Sequence, residues 1–393
     1  MNDIDVTDVL SRSVAEIIGK KDIEDKLAAG GELRIKLGID PTSPDLHIGR
    51  AVTLLKLRDF QKLGHKVVLI VGDFTGLIGD TSDKDSERPM LSEEVIEENK
   101  KTYFEQIGKI IDLSKAELHY NSSWLSGLTY KDIGKQADLF SVADFIARDN
   151  IKKRMDAGKR VSLREVLYPL MQGYDSVAVK ADIELGGTDQ RFNLLAGRTM
   201  QAEYGQVPQN IIMTPLIEGL DGRKMSSSWG NTINLNAEPS DMYGKVMSLV
   251  DSEIVRYFEI CTRIPMKEVR EVSAGLEDQS LHPKDVKMKL AREIVRMYHT
   301  EEAAEEAEKN FIETFSNKGV PSDVPSVKAK VETKLLDTLL EAGAIESKSE
   351  GRRLIEEGAI TNTDSGNGVS SPDALSEPGT YKIGKRRFLK IEE

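Results

Sequence analysis

Two stretches of this chain carry residue types that handle phosphate. The first runs Gly38-Ile39-Asp40-Pro41-Thr42-Ser43-Pro44-Asp45-Leu46-His47-Ile48-Gly49-Arg50. An apolar run ends in turn residues, and a helical pattern opens near a His-x-Gly step. A helix N-terminus offers unpaired N–H groups and the positive end of its dipole to a phosphate. Gly49 lets a nucleotide approach the backbone, and His47 supplies a donor for charge developing on a phosphoryl oxygen. The second stretch, Gly222-Arg223-Lys224-Met225-Ser226-Ser227-Ser228, makes a flexible, cationic, hydroxyl-rich loop suited to a triphosphate. Read singly, His47 is a surface histidine beside a helix cap and 222–228 is a solvated serine loop. Their joint presence carries the chemistry.

Other chemistries are excluded. There is no GxGxxG after a strand, no GxxxxGK[ST] and no HExxH. Five scattered histidines and the single Cys261 make neither a zinc site nor a disulfide framework. Lys+Arg total 54 and Asp+Glu 66, a net charge of −12, which argues against general coating of nucleic acid yet allows a local basic patch. No apolar run reaches membrane-spanning length, and the acidic start MNDIDVTDVL is unlike a targeting leader. A reducing, cytoplasmic setting is expected, with no membrane contact.

The elements that must position these residues follow from periodicity. Residues 33–38 (LRIKLG) and 67–71 (VVLIV) read as strands, with a helical recurrence at Ile48, Val52, Leu55 and Leu63 between them. Strand, helix, strand with short joints predicts a βαβ crossover and a parallel sheet. Ser92 before Glu93 and Glu94 predicts a capped helix running to about Ile111. Tyr174–Val179 and Asn210–Leu216 are expected as further strands. Yet Tyr168, Gln172 and Asp175, at i, i+4 and i+7, would share one face if their segment is helical. From Ser240 the patterns are helical, with Pro283 near a helix start. Gly319–Val327 reads as a linker, and the last 60 or so residues read as a compact unit with a helical pattern and then short β pieces. The expected fold class is α/β.

Together the two phosphate stretches resemble the HIGH and KMSKS signatures of class I aminoacyl-tRNA synthetases. The blocks GIDPTSPDLHIGR, VGDFTGLIGDTSDKDSERP, YPLMQGYDS, GGTDQRFN and KMSSS, with the C-terminal unit, resemble the tyrosyl-tRNA synthetase family in its bacterial, C-terminally extended form. The resemblance spans essentially the whole chain. It implies a Rossmann-like catalytic domain over 1–232 with a helical insertion at about 92–165. An α-helical anticodon-arm-binding domain over 233–318, a linker over 319–332 and an S4-like RNA-binding domain over 333–393 would follow. The implied activity joins L-tyrosine and ATP into tyrosyl-adenylate and pyrophosphate, then moves tyrosine to the 3′ end of tRNA(Tyr). The implied assembly is a homodimer, with Mg²⁺ carried mainly by ATP and no metal held by the protein.

Residue by residue, the resemblance implies that Thr42 and His47 contact the ATP phosphates and steady the departing pyrophosphate. Asp40, Gly49, Arg50 and Thr53 lie near the nucleotide, as do Gly187, Asp189, Lys224, Met225, Ser226, Ser227 and Ser228. Lys84 and Arg88 belong to a cationic loop closing over the leaving group. Thr42, His47, Lys84, Arg88 and Lys224 are thus the catalytic set. Asp80, Tyr168 and Gln172 would hold the substrate ammonium, Gln190 would line the amino-acid pocket, and Asp175 would accept from the phenolic hydroxyl. Lys348, Arg352, Arg353, Lys385, Arg386 and Arg387 would meet tRNA phosphates.

Four positions depart from the family pattern. Arg50 replaces the last histidine of HIGH, and Ser227 replaces the second lysine of KMSKS, so compensation for the missing charge is expected from Lys84, Arg88, Arg223 or a bound cation, the last showing as a K⁺ dependence. Lys36 stands where many members bear a tyrosine facing the substrate hydroxyl, and Leu37 where a cysteine often contacts ribose; neither role carries over. Two rivals are a tryptophan-activating relative, opposed by Asp175, and a catalytically silent RNA-binding paralogue.

Overall fold

In the computed structural model, residues 5–82, 86, 90–315, 324–328, 333–384 and 387–392 are described. Contacts divide the chain into two units, 1–304 and 305–393.

In the first unit the strands are β1 (Glu16–Ile18), β2 (Arg34–Ile39), β3 (Lys66–Val71), β4 (Glu117–Tyr120), β5 (Ile183–Gly187) and β6 (Asn210–Thr214). They lie in the order β1-β6-β5-β2-β3-β4, all parallel except the antiparallel edge strand β1. The apolar runs of β3 and β6 are buried almost throughout, as strands covered by helices on both faces must be. The helix Ile48–Lys62 makes the β2–β3 crossover that the sequence predicts. From β2 the chain winds outward through β3 and β4. It then returns to lay β5 against the other side of β2. That reversal opens a crevice beyond the carboxyl ends of β2 and β5, the usual ligand position in such sheets.

Two expectations are corrected. Tyr174–Val179 is not a strand but the last part of the helix Leu163–Val179, opened by a capping box between Ser162 and Glu165. The β-branched end of that segment suggested a strand, but the capped helix and its tertiary packing override that local preference. The helix expected from Ser92 to Ile111 is two, Glu93–Lys100 and Tyr103–Gly108, with Ser92 capping the first as predicted.

Helices from Pro239 to Tyr298 belong to the same unit as the sheet. Arg12 donates to the carbonyls of Phe258, Glu259 and Ile264, and Arg263 pairs with Asp59 of the crossover helix at 2.8 Å. Among the described residues, no helix is long and apolar enough to cross a membrane.

In the second unit, β7 (Ser326–Lys328), β8 (Ile360–Asn362), β9 (Gly379–Ile383) and β10 (Arg387–Glu392) form a sheet in the order β7-β10-β9-β8. Ser326–Lys328, within the stretch read as linker, pairs parallel to β10. Leu335, Leu336 and Leu339 from one helix and Leu354 and Ile355 from another pack with Ile383, Leu389 and Ile391 in the core.

Candidate active site

A cavity of about 490 Å³ opens at the crevice beyond β2 and β5. Its walls include Asp40, Thr42, His47, Gly49, Arg50, Thr53, Asp80, Tyr168, Gln172 and Asp175. Gly187, Asp189, Gln190, Lys224, Met225, Ser226 and Ser227 also belong to these walls. Lys84 and Arg88 lie outside the described residues, as do Lys385 and Arg386 of the second unit. Ser228 follows in the short turn Ser227–Trp229.

One end of the cavity is built on β2 and the helix Leu163–Val179. Tyr168 donates its hydroxyl to Asp40 Oδ2 at 2.7 Å, and Thr75 donates to Asp40 Oδ1 at 2.7 Å. Burial pushes the Asp40 carboxyl up to about 6 against those two donors. Burial and the nearby Asp40 charge hold Tyr168 firmly in its phenol form, so it remains the donor. Gly72 makes this close packing feasible: a Cβ there would stand 2.1 Å from Asp40 Oδ1 and 2.2 Å from Thr75 Oγ1.

Asp175 is 4% exposed and accepts from Trp124 Nε1 at 2.8 Å and from Asn121 Nδ2 at 3.2 Å. Asn121 also donates to Thr75 Oγ1 at 2.9 Å, joining the two carboxylates through one amide. Burial raises Asp175 to about 7, opposed first by the Lys36 charge and then by these donors. Gln190 donates to Asp80 at 2.7 Å and to Ser82 Oγ at 2.8 Å, so Asp80 is held at the rim.

The other end gathers donors. Arg50 turns back over the strand end, reaching the Asp40 carbonyl at 3.1 Å and Thr42 Oγ1 at 3.3 Å. His47 caps the crossover helix with extended backbone and is largely buried. A Cβ on Gly49 would approach His47 Nδ1 to 2.9 Å, so this glycine makes room for the imidazole. Thr53 meets Thr214 at 2.9 Å, tying the helix to the end of β6. The serine loop is a hairpin. Met225 N–H donates to the Ile217 carbonyl at 2.9 Å, and Ser226 N–H donates to Asn231 Oδ1 at 2.8 Å. Lys224 reaches across to Asp189 at 3.2 Å.

In the second unit, Lys348 pairs with Asp337 at 2.5 Å, Arg387 with Glu350 at 2.6 Å and Arg353 with Glu357 at 3.9 Å, while Arg352 is exposed. The Lys348 and Arg353 pairs lie at the surface, where such a pair contributes about 0–1 kcal/mol, and the Arg387 pair is part-buried.

Sequence reasoning missed Thr75, Asn121, Trp124, Asn231 and the pairing of Lys36 with Glu184. Thr75 lies in a block noted as a whole. For Asn121 and Trp124 no local signal exists, because their partners lie about 50 residues away.

A parallel sheet with its crevice at the reversal point, helix N-terminus and cationic hairpin defines a nucleotide-binding α/β enzyme. The chain belongs to the family described as tRNA synthetases class I (W and Y), which matches residues 28–316. It is 48% identical to the tyrosine–tRNA ligase of Carboxydothermus hydrogenoformans, over 98% of this chain and 97% of that one. It is 45% identical to that of Thermotoga maritima, over 98% and 96%. Its fold is similar to the solved mitochondrial tyrosyl-tRNA synthetase of Aspergillus nidulans (TM-score 0.64, 20% identity, 77% of this chain and 91% of that). The Archaeoglobus fulgidus enzyme solved with L-tyrosine is also similar (TM-score 0.62, 22% identity, 77% and 100%).

Proposed function

We infer that the chain is a tyrosine–tRNA ligase: it activates L-tyrosine with ATP and transfers the tyrosyl group to tRNA(Tyr). The observation that carries the choice of amino acid is Asp175, a buried carboxylate among donors in the amino-acid part of the cavity. Each of its oxygens keeps capacity for a further donor. A phenolic hydroxyl supplies one; a phenyl ring would leave the acceptor desolvated and unmatched.

In the first step a carboxylate oxygen of tyrosine attacks the α-phosphorus of ATP. The bond from that phosphorus to the bridging oxygen breaks, and pyrophosphate leaves with the electron pair. The nucleophile is already ionised, so alignment and charge neutralisation matter more than a base. Asp80, Tyr168 and Gln172 hold the ammonium end, Asp40 lies toward the nucleotide while accepting from Tyr168, and Asp175 holds the hydroxyl with Gln190 at the adjoining wall. Thr42, His47, Arg50 and Lys224 steady the charge on the phosphates, with Lys84 and Arg88 assigned to the same task. Gly49, Thr53, Gly187, Asp189, Met225, Ser226, Ser227 and Ser228 frame the nucleotide. In the second step a hydroxyl of the terminal tRNA ribose attacks the tyrosyl carbonyl, and AMP leaves.

Mg²⁺ enters with ATP as part of the substrate. Among the described residues, no three His, Cys, Asp or Glu groups gather as a metal cage. The charge that Ser227 lacks would be supplied by Lys84, Arg88, Arg223 or a bound cation such as K⁺. Residues 1–232 act as the catalytic domain and 233–318 as the part reading the anticodon arm. Residues 319–332 serve as linker, and 333–393 as an S4-like domain on tRNA phosphates through Lys348, Arg352, Arg353, Lys385, Arg386 and Arg387. The enzyme works as a cytoplasmic homodimer.

ATP–pyrophosphate exchange with each standard amino acid, with and without K⁺, tests the reading. Exchange driven by tyrosine alone is expected. Exchange driven by tryptophan would transfer the assignment within the family, and no exchange from folded protein would leave an RNA-binding paralogue.

A further inference from the structure

Lys36 and Glu184 lie side by side on β2 and β5 and have no exposed surface. Lys36 Nζ donates to Glu184 Oε1 at 2.8 Å, to Ser176 Oγ at 2.7 Å and to the Gln172 carbonyl at 3.0 Å, which uses all three of its hydrogens. Glu184 Oε1 also accepts from Gln172 Nε2 at 3.1 Å. Its Oε2 accepts from Ser176 Oγ at 3.1 Å and from Gln209 Nε2. Both charged groups are therefore fully partnered by protein, and neither is left to bind substrate.

The consequence falls on Gln172, which does line the cavity. An ionised carboxylate only accepts hydrogen bonds, so the face of the amide turned toward Glu184 must be its NH₂. The amide oxygen is then turned away from Glu184. An acceptor at that position suits an ammonium group, which only donates. A neutral partner in place of Glu184 would accept or donate equally and leave the amide free to turn over. Lys36 also holds the Gln172 carbonyl and the Ser176 hydroxyl, which flank Asp175 along the helix. Lys36 is the foremost charge drawing Asp175 toward its carboxylate form.

We propose that Lys36 and Glu184 are positioning residues for amino-acid selection. Their buried ion pair turns the Gln172 amide oxygen to the substrate ammonium and sets the helix turn that presents Asp175 to the phenolic hydroxyl. This rests on the tyrosine-ligase reading and adds two residues that never touch the substrate.

The test is pyrophosphate exchange by the full-length protein carrying K36M/E184Q, a neutral replacement of similar volume. Replacing a buried ion pair as a unit is tolerated far better than removing one partner. With a cooperative thermal transition retained, the tyrosine KM should rise about tenfold or more, while kcat and the ATP KM stay within about twofold. A purely structural role would instead move all three or lower the active fraction. Should the double variant not fold, Glu184→Asp carries the same readout, because it keeps both charges and withdraws the acceptor from Gln172. A folded variant with an unchanged tyrosine KM overturns the proposal alone. Wild-type protein without tyrosine-driven exchange overturns the ligase reading and this inference with it.

Discussion

At the end of the cavity proposed for the amino acid, Tyr168, Gln172 and Asp175 stand on a 17-residue helix, and Asp40 follows directly on a central strand. At the end proposed for the phosphates, Lys224, Ser226 and Ser227 stand on a hairpin loop and its following turn. The first group is cross-linked by protein hydrogen bonds before any ligand arrives; Asp40, Thr75, Asn121 and Asp175 form a continuous chain. The cations of the second make contacts that a triphosphate can exchange, such as Lys224 with Asp189 and Arg50 with Thr42. The contrast separates two tasks. Choosing among amino acids needs fixed acceptors whose desolvation penalises the wrong ligand. Steadying a leaving pyrophosphate needs charges that follow the phosphates as they part.

The sharpest way to break this division is at the phosphate end. His47→Ala or Lys224→Ala should lower kcat for adenylate formation about 10²–10³-fold, with tyrosine affinity within about twofold by equilibrium dialysis. A comparable loss of tyrosine affinity would merge the two ends into one functional unit. Next comes Asp175→Asn, which should raise the tyrosine KM about 10- to 100-fold and narrow the preference for tyrosine over phenylalanine. The ATP KM read in the same exchange assay should not move.

A smaller effect follows from pH. The acceptor form of Asp175 is the carboxylate, which predominates above about 7. Tyrosine affinity should therefore weaken by about tenfold as the pH falls from 8 to 6, with Asp40, raised to about 6, protonating next. Calorimetric titration over that range checks it, and a flat profile would show that tyrosine binding changes the protonation of neither carboxyl. The smallest change is expected for Asn231→Ala. It removes the acceptor of Ser226 N–H and should cost about fivefold in kcat while leaving tyrosine binding intact.

What was legible in the sequence divides along the same line. The phosphate signatures are contiguous in the chain, because a helix N-terminus and a hairpin loop are local structures, and Gly38–Arg50 and Gly222–Ser228 announced themselves. The crossover 33–71 was equally plain from its periodicity. The helix Leu163–Val179 was misread at its end because Val177 and Val179 favour strand locally while tertiary packing decides otherwise. The supports around Asp175 had no sequence signal for that role: Asn121 and Trp124, Lys36 and Glu184 come from three separate places, and only the sheet order brings them together. The motif blocks and the resemblance they carry pointed to groups that line the cavity, but not to the groups that hold them.

One consequence of the Asp175 arrangement concerns time rather than affinity. Trp124 and Asn121 each take one oxygen and leave a lone pair on both, so an incoming hydroxyl is added to the carboxylate without displacing a protein donor. Entry then requires no side chain to release its partner. The ordering cost of this end of the cavity falls on folding instead of on binding. Tyrosine should load in a single kinetic phase whose rate rises linearly with its concentration, with no slow rearrangement limiting it at saturation.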